Sequence, residues 1–330
     1  MLVAVLGATG LIGQHTARAV LARGHALRVV HRPDSRLDTL AELRFDAAAA
    51  DLDDRGALTT ALAGVDAVIH CAGYYPRLYG QLDLELEIAQ RQMENFCAAA
   101  QASDCARVIY ISAASVLNKP AEAALADERM LFASEPGREN PFRLIKWHQE
   151  QIAERAIANG LPLIFAIPSM VFGEYDYGPT AGRLLVGIAN RTLRKIVACQ
   201  RNIIAGADLG EGLMRCLEAG KTGERYILGG TNIRLEELAK KIAETAGVPP
   251  PKQVPLALAT AIAQVQALRF RVTGKIPSVK LTELRMMAAG KFLDTGKAAR
   301  ELDFVARTPL DECIADTLLW FKNHAYIDSQ

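Results

Sequence analysis

The sequence predicts an α/β protein built on a doubly wound parallel sheet, followed by a smaller and mainly helical domain. Apolar runs typical of strands buried on both faces alternate with segments of helical periodicity. A glycine-rich turn follows the first run, and the regular alternation ends near Pro168. We therefore predict a first domain over residues 1–168 and a second over residues 169–330, with one strand near 225–228 returning to the first domain.

The first predicted unit is a strand, a helix and a second strand. Residues 2–6 form a continuous apolar run closed by Gly7, apolar positions then recur at helical spacing from Leu11 to Leu21, and a second run covers residues 27–30. This length suits a right-handed parallel crossover. The alternation continues with strands predicted at 45–51, 67–70, 108–111 and 163–167, and with helices predicted at 54–62, 82–100 and 141–158.

The second half of the chain has shorter elements. Glycines are frequent up to the strand predicted at 225–228. Beyond it, helical periodicity predicts helices at 235–246, 256–270, 281–287 and 310–321. This change of pattern is the basis for a separate substrate-binding domain.

Composition narrows the classes of partner. Lys and Arg (38) nearly balance Asp and Glu (37), so the net charge indicates neither nucleic acid nor an anionic membrane surface as a partner. No apolar run is long enough to span a bilayer, and the amino terminus lacks the basic region of a secretory signal. The six cysteines form no C-x-x-C pair, which predicts a cytoplasmic protein without a metal site.

The turn after the first strand carries the clearest functional signal. Glycines at its first, fourth and seventh positions allow a tight turn and a close approach of a pyrophosphate to the start of the helix. An ordinary turn between strand and helix is the alternative, but the buried strand and the helix that flank it favour nucleotide binding. The predicted dinucleotide-binding residues of this turn are Gly7, Thr9, Gly10, Leu11, Ile12 and Gly13.

The ends of the next two strands indicate how the rest of a dinucleotide would bind. Asp51 can accept a hydrogen bond from the adenine amino group, and Leu52 can cover the ring; alternatively, Asp51 caps the following helix. The second strand ends in His31 and Arg32 rather than in an acid. Because an arginine there accommodates a 2′-phosphate, we predict NADP rather than NAD.

These motifs resemble the extended short-chain dehydrogenase/reductases, in particular the nucleoside-diphosphate-sugar epimerases and dihydroflavonol-reductase-like proteins. The resemblance also rests on residues 70–73, 168–173 and 223–230, and it covers nearly the whole chain. It implies a Rossmann domain, a small-molecule substrate such as a sugar nucleotide, and a homodimer formed by the helices at 82–100 and 141–158. The further cofactor contacts that it implies are Cys71, Ala72, Gly73, Lys146, Pro168 and Val171.

The resemblance also implies a catalytic tyrosine and lysine four residues apart on a helix, and a hydroxyl residue after the fifth strand. The lysine holds the nicotinamide ribose and lowers the pKa of the tyrosine, the phenol moves a proton, and the hydroxyl positions the substrate oxygen. This chain keeps the lysine as Lys146, but Phe142 replaces the phenol and Ala113 the hydroxyl. Ala89 aligns with an asparagine that usually supports the site.

Two functions remain open. The chain is either an epimerase or reductase whose proton transfer has moved to another side chain, or an NADP-binding sensor or scaffold. Resemblance through the second domain favours the enzyme. Substitute groups to consider are Ser112, Ser115, Tyr74, Tyr75, His148, Tyr175 and Tyr177, although loop tyrosines and single histidines most often only pack. Four arginines of the second domain either bind a substrate diphosphate or are simply solvated: Arg183, Arg191, Arg194 and Arg201.

Overall fold

The computed structural model describes residues 1–76, 80–119, 124–273, 281, 284 and 289–328. The strands are β1 (Leu2–Leu6), β2 (Ala26–His31), β3 (Asp46–Ala49), β4 (Ala67–His70), β5 (Arg107–Ile111), β6 (Leu163–Pro168), β7 (Met170–Phe172), β8 (Lys195–Val197), β9 (Gln200–Ala205), β10 (Arg225–Leu228), β11 (Thr231–Arg234) and β12 (Lys252–Val254). The α-helices are α1 (Leu11–Ala22), α2 (Arg55–Ala61), α3 (Leu82–Ala102), α4 (Pro141–Ala158), α5 (Arg183–Ala189), α6 (Gly206–Ala219), α7 (Leu235–Ala246), α8 (Leu256–Thr273), α9 (Gly296–Leu302) and α10 (Leu310–Asn323). Short 3-10 helices cover Leu37–Leu40 and Ala114–Val116.

The large sheet is parallel and has the strand order β10-β6-β5-β4-β1-β2-β3. The chain first builds outward from β1 to β3 and then returns to build on the other side from β4, which confirms the doubly wound α/β fold. Leu6 pairs with both Val30 and His70. The loops after β1, β2 and β4 therefore leave the sheet side by side at its carboxyl edge, where ligands bind in such sheets.

Helices cover both faces of this sheet. On one face, α1 packs on β1 and β2 and α6 packs on β5 and β6, and residues such as Val20 and Leu213 are buried in one core cluster. On the other, α2, α3 and α4 bury residues such as Leu58, Phe96 and Ala153. Strands enclosed in this way are apolar on both faces, as Val3, Ala4 and Val5 of β1 are, with no exposed surface.

Helix α6 was not predicted from the sequence, because its three glycines are weak helix formers. These glycines have a packing role instead. A Cβ atom on Gly210 would lie 2.7 Å from the carbonyl oxygen of His15 in α1, and one on Gly212 would lie 2.9 Å from the ring of Phe304. The tertiary contact of α6 with α1 therefore outweighs its low helix propensity.

The second half of the chain contributes both to the large sheet and to smaller ones. Strand β10 pairs in parallel with β6, at the place where one returning strand was predicted. The strands β11, β9 and β7 form a three-stranded sheet, and β12 pairs with β8. These smaller sheets were missed because most of their strands have only three or four residues, too few for an alternating pattern to be recognised.

The predicted helix at 281–287 lies outside the described residues except for Leu281 and Leu284. Helix α8 continues three residues beyond its predicted end, and α9 was not predicted. In the described parts of the chain, no helix is both long and apolar enough to cross a membrane.

Helix α3 exposes less apolar surface than its sequence indicated. Leu86, Met93 and Phe96 are buried inside this chain. Leu84, which is 43% exposed, is the large apolar side chain that α3 presents most openly. The many apolar residues of α3 are thus explained mainly by its packing on the sheet and on α4.

Candidate active site

A cleft of about 1940 Å³ runs along the carboxyl edge of the large sheet. A drug-sized ligand typically occupies about 300–1000 Å³, so this cleft has room for a dinucleotide and a second ligand. All the residues predicted to bind a dinucleotide line it: Gly7, Thr9, Gly10, Leu11, Ile12, Gly13, Arg32, Asp51, Leu52, Cys71, Ala72, Gly73, Lys146, Pro168 and Val171. The fold thus brings five loops or strand ends and helix α4 to one site.

The three glycines of the first turn serve different purposes. Gly7 has a φ of +77°, and a Cβ there would lie 2.8 Å from the backbone nitrogen of Ala72. A Cβ on Gly13 would lie 2.1 Å from the carbonyl oxygen of Gly7. A Cβ on Gly10 would meet nothing closer than 3.6 Å. The packing of the backbone therefore requires glycine at positions 7 and 13. Gly10, in contrast, keeps the cleft side of the turn open.

The amino terminus of α1 suits a phosphate. Its N-cap is Gly10, so no side chain caps the helix, and its first turn holds no acidic residue. The first amides of a helix have no acceptor within it, and the helix dipole places partial positive charge there. The arrangement fits the pyrophosphate of a dinucleotide.

Asp51 and Leu52 follow β3 at the cleft. The cap of α2 is Asp54, whose side chain accepts from the backbone N–H of Ala57 at 2.9 Å. Asp51 Oδ1 accepts instead from the N–H of Asp53, also at 2.9 Å, in a local turn. Asp51 is therefore not the helix cap that the sequence left open as an alternative.

Arg32 lies at the end of β2, beside an acid that sequence analysis did not weigh. Its Nε is 3.4 Å from Asp34 Oδ1, and the two side chains are 55% and 75% exposed. A pair so exposed is weak, generally below about 1 kcal/mol. Arg32 can therefore exchange Asp34 for another anion at small cost.

Lys146 projects from α4 into the interior of the site. Its Nζ donates to the carbonyl oxygen of Ile111 at 2.9 Å and to the Tyr110 hydroxyl at 3.2 Å. It is 3.6 Å from the point where a Cβ on Gly73 would stand. Burial lowers the pKa of Lys146 to about 8. The amine is thus fixed between β5 and the loop after β4.

A phenol lies against the ring that occupies the predicted tyrosine position. Tyr75, in the loop after β4, stacks on Phe142 of α4 with ring centroids 4.9 Å apart and planes 15° apart. Tyr75 Cε2 is 3.7 Å from the same Cβ point on Gly73 that Lys146 approaches. Desolvation and the charge of Asp176 raise the pKa of Tyr75.

The hydroxyl groups after β5 are arranged differently. Ala113 lines the cleft, but the Ser112 hydroxyl donates to Glu150 Oε1, and Glu150 also pairs with Arg225. This buried network argues against Ser112 as the substitute hydroxyl. The Ser115 hydroxyl is buried and has no hydrogen-bond partner among the described residues.

Other candidate groups belong to packing clusters. Tyr74 packs against Leu86, Ala89, Leu144 and Ile145, between α3 and α4, although it also lines the cleft. Three others do not line the described cleft: His148 faces Glu135, Tyr175 lies under Arg18, and Tyr177 packs on Trp320.

Several charged residues at the substrate end were missed by sequence analysis. Asp176 is buried, burial raises its pKa, and its Oδ2 accepts from the N–H of Gly182 at 3.3 Å. Lys291 lies just before Leu293, which forms a β-bridge with Ala126, and no periodicity marks this irregular segment.

Of the four arginines that the sequence offered for a diphosphate, Arg183 and Arg201 line the cleft, whereas Arg191 and Arg194 do not. The described residues contain no group of three His, Cys, Asp or Glu side chains placed to hold a metal ion.

Comparison with known proteins agrees with this geometry. Residues 3–229 match the NAD dependent epimerase/dehydratase family. The chain belongs to this family. Its fellow members use a nicotinamide dinucleotide, and both the glycine turn and Lys146 line the cleft of this chain.

Similarity to individual family members extends over the whole chain. A Synechocystis protein named for dihydroflavonol 4-reductase is 30% identical and aligns with 99% of this chain and 96% of its own length. The crystal structure of a nucleoside-diphosphate-sugar epimerase from Pseudomonas aeruginosa is 35% identical, with a TM-score of 0.88 and 99% of both chains covered. A dTDP-glucose 4,6-dehydratase from Streptomyces venezuelae, solved with NAD, shares the fold at 19% identity, with a TM-score of 0.78 over 98% of this chain and 97% of its own.

Proposed function

We propose that this family member is an NAD(P)-dependent reductase or epimerase acting on a nucleotide sugar or on a ketone or alcohol, with Tyr75 in place of the missing phenol at Phe142. The stacking of Tyr75 on Phe142 carries the proposal. It puts a phenol beside the ring that replaces the family tyrosine, close to Lys146. Relatives named as a nucleoside-diphosphate-sugar epimerase and as a ketoreductase support the substrate classes.

The described residues suit the cofactor of the family. The pyrophosphate would lie on the amides of the first turn of α1, the adenine against Asp51 and Leu52, and the nicotinamide ribose near Lys146. When bound, the nicotinamide supplies or accepts a hydride. Arg32 supports a preference for NADP, because an arginine there can pair with a 2′-phosphate.

The acid/base step falls to Tyr75. A tyrosine phenol has an ordinary pKa of about 10, so Tyr75 is protonated at neutral pH and can donate to an oxygen that gains negative charge. That is the requirement of carbonyl reduction. The ammonium group of Lys146 stabilises the same developing charge, since both groups approach Gly73.

We also propose a cytoplasmic homodimer. Six free cysteines, most of them buried, suit a reducing compartment. Burial raises the pKa of Cys71 to about 12 and raises that of Cys216 well above its usual range, so these thiols stay protonated and unreactive. The dimer rests on the family resemblance of α3 and α4, with Leu84 exposed on α3. Sedimentation at micromolar concentration tests it.

The experiment is a comparison of matched tyrosine variants. Turnover with NADPH or NADH is measured on a panel of ketones and 4-keto sugar nucleotides, and cofactor affinity is measured by calorimetry. Tyr75→Phe should lower kcat on the order of 100-fold or more without changing cofactor affinity. Tyr74→Phe, the control from the same loop, should keep turnover. Full activity in Tyr75→Phe would exclude Tyr75 as the proton donor.

A triple variant sharpens this result. Adding Phe142→Tyr and Ala113→Ser to Tyr75→Phe should restore part of the lost turnover, because the phenol and the hydroxyl then return to their usual elements.

The absence of hydroxyl groups at Ala113 and Phe142 favours a second candidate function, an NADP-binding sensor or scaffold. That candidate predicts tight cofactor binding by the wild-type protein and no turnover of any substrate in the panel.

A further inference from the structure

Three basic side chains converge at the substrate end of the cleft. Lys119, Arg143 and Lys291 all line it, as do Ala113 and Phe142. The nucleotide end, by contrast, is formed by the glycine turn and the loops after β2 and β3. The basic cluster therefore lies near the reacting part of a substrate.

A chain of contacts links Lys291 to Arg143. The Lys291 ammonium donates to the carbonyl oxygens of Ala114, at 3.2 Å, and of Leu117. Leu117 forms a β-bridge with Leu131. The next residue, Phe132, has the Arg143 guanidinium 5.0 Å from its ring centre.

The basic cluster lowers the stability of the folded protein. Lys291 is only 8% exposed, and Arg143 and Lys119 are the charges that add to burial in lowering its pKa to about 8. Arg143 pairs with Glu139, yet the Arg143 Nε is buried without a hydrogen-bond partner among the described residues. Glu139 meets the charge of Arg143, and a further anion in the cleft would offset the repulsion that Arg143 and Lys119 exert on Lys291.

We propose that the substrate carries a negatively charged group, a carboxylate or a phosphate, on the part of the molecule that reacts, and that Arg143 and Lys291, with Lys119, bind this group. The inference rests on the proposed function, because it assigns a substrate to the same cleft. It favours acidic sugars or acidic ketones over neutral ones. An anion held there also orients the neighbouring carbon toward Tyr75 and Lys146.

The test uses pairs of ligands that differ in one charged group. Calorimetry on the full-length protein saturated with NADP compares UDP-glucuronic acid with UDP-glucose for a carboxylate, and dihydroxyacetone phosphate with dihydroxyacetone for a phosphate. We expect the charged member of at least one pair to bind about tenfold or more tightly. The pair that shows the difference identifies the source of the charge.

Variants locate the binding site. Lys291→Met and Arg143→Met should each reduce the difference within the pair to less than about threefold, while Lys240→Met, an exposed lysine outside the cleft, should leave it intact. Since Lys291→Met also removes two contacts to the loop after β5, the result with Arg143→Met is decisive if the lysine variant fails to fold. UDP alone is included, because equal losses for UDP and UDP-glucuronic acid would place the nucleotide diphosphate at the cluster and overturn the inference.

Failure of this inference differs from failure of the proposed function. Normal NADP binding without a charge preference in either pair overturns the anion site alone. A preference that survives in both variants also overturns it, because the anion then binds elsewhere. A wild-type protein that binds neither NADP nor NAD overturns the proposed function and this inference with it.

Discussion

The two ends of the cleft are built in different ways. The nucleotide end depends on one continuous turn, in which the backbone at Gly7 and Gly13 leaves no room for a side chain. The reaction end depends on side chains from β5, α4, the loop after β4 and the segment around Lys291. A backbone site cannot change without disturbing the fold, whereas a side-chain site can exchange groups between elements. The proposed loss of the phenol at Phe142 is therefore compatible with an unchanged glycine turn.

The largest effect should follow from filling the nucleotide end. In Gly13→Ala, the added Cβ would lie 2.1 Å from the Gly7 carbonyl oxygen and 2.6 Å from Ala8 Cα. We expect the free energy of unfolding to fall by about 3 kcal/mol, because backbone atoms on both sides must move. Cofactor binding should be lost at the same time. Urea unfolding and calorimetry measure the two effects.

Gly10→Ala is the matched control in the same turn. Its Cβ would meet no atom closer than 3.6 Å, so the loss of stability should not exceed the cost of alanine at a helix N-cap, about 1 kcal/mol. Cofactor affinity should nevertheless fall, because the methyl group occupies the open side of the turn. Equal destabilisation by the two variants would contradict the division between glycines required by the fold and a glycine required by the ligand.

The next substitution is at the reaction end, where it should lower activity but raise stability. Lys146→Met should lower kcat on the order of 100-fold. At pH 7 it should also raise the free energy of unfolding by about 2 kcal/mol, because the wild-type protein must keep a charged amine buried. Turnover assays and urea unfolding test both changes.

The pH dependence identifies the cause of that stabilisation. Burial places the folded-state pKa of Lys146 at about 8, below its unfolded value of about 10.5. The unfolded chain therefore binds more protons between these values, and wild-type stability rises relative to the variant as the pH increases above about 8. A stability difference that stays constant from pH 7 to pH 10 would show that shape, rather than charge, is responsible.

Sequence was informative where a single segment determines structure. The seven strands of the large sheet and the glycine turn were identified because each is a local pattern in a continuous run of residues. Helix α6 was missed because its glycines suit a partner helix rather than its own propensity. The stack of Tyr75 on Phe142 and the position of Lys291 depend on contacts between distant segments, which no local pattern contains.

A smaller effect should appear when the basic cluster loses charge. The pKa of Lys291 is lowered to about 8 by burial and by Arg143 and Lys119. Only the protonated amine attracts an anion, so the Kd of the charged ligand should rise above pH 8, by at most about tenfold per pH unit. The ratio of Kd values for the charged and neutral members of a pair, measured from pH 6.5 to 9.5, cancels the similar titration of Lys146.

Lys291→Arg provides the control, because a guanidinium stays charged throughout this range. The variant should bind the charged ligand with the same preference at pH 6.5 and at pH 9.5. If the wild-type preference is equally constant, Lys291 does not provide the titrating charge. A preference that still falls with pH in Lys291→Arg would assign the titration to another group.

The smallest effect should be found at the outer edge of the nucleotide end, where a side chain rather than the backbone selects the ligand. Arg32 is exposed and only weakly held by Asp34. Arg32→Ala should weaken NADP binding about fivefold, since an exposed charge pair contributes about 1 kcal/mol, and should leave NAD binding unchanged. Asp34→Asn should strengthen NADP binding by less than that amount, because it releases the guanidinium for the 2′-phosphate. Both changes should shrink in 0.5 M salt, as expected for exposed charges. If Arg32→Ala weakens NAD and NADP alike, Arg32 supports the loop rather than the phosphate, and the nucleotide end is then determined by its backbone throughout.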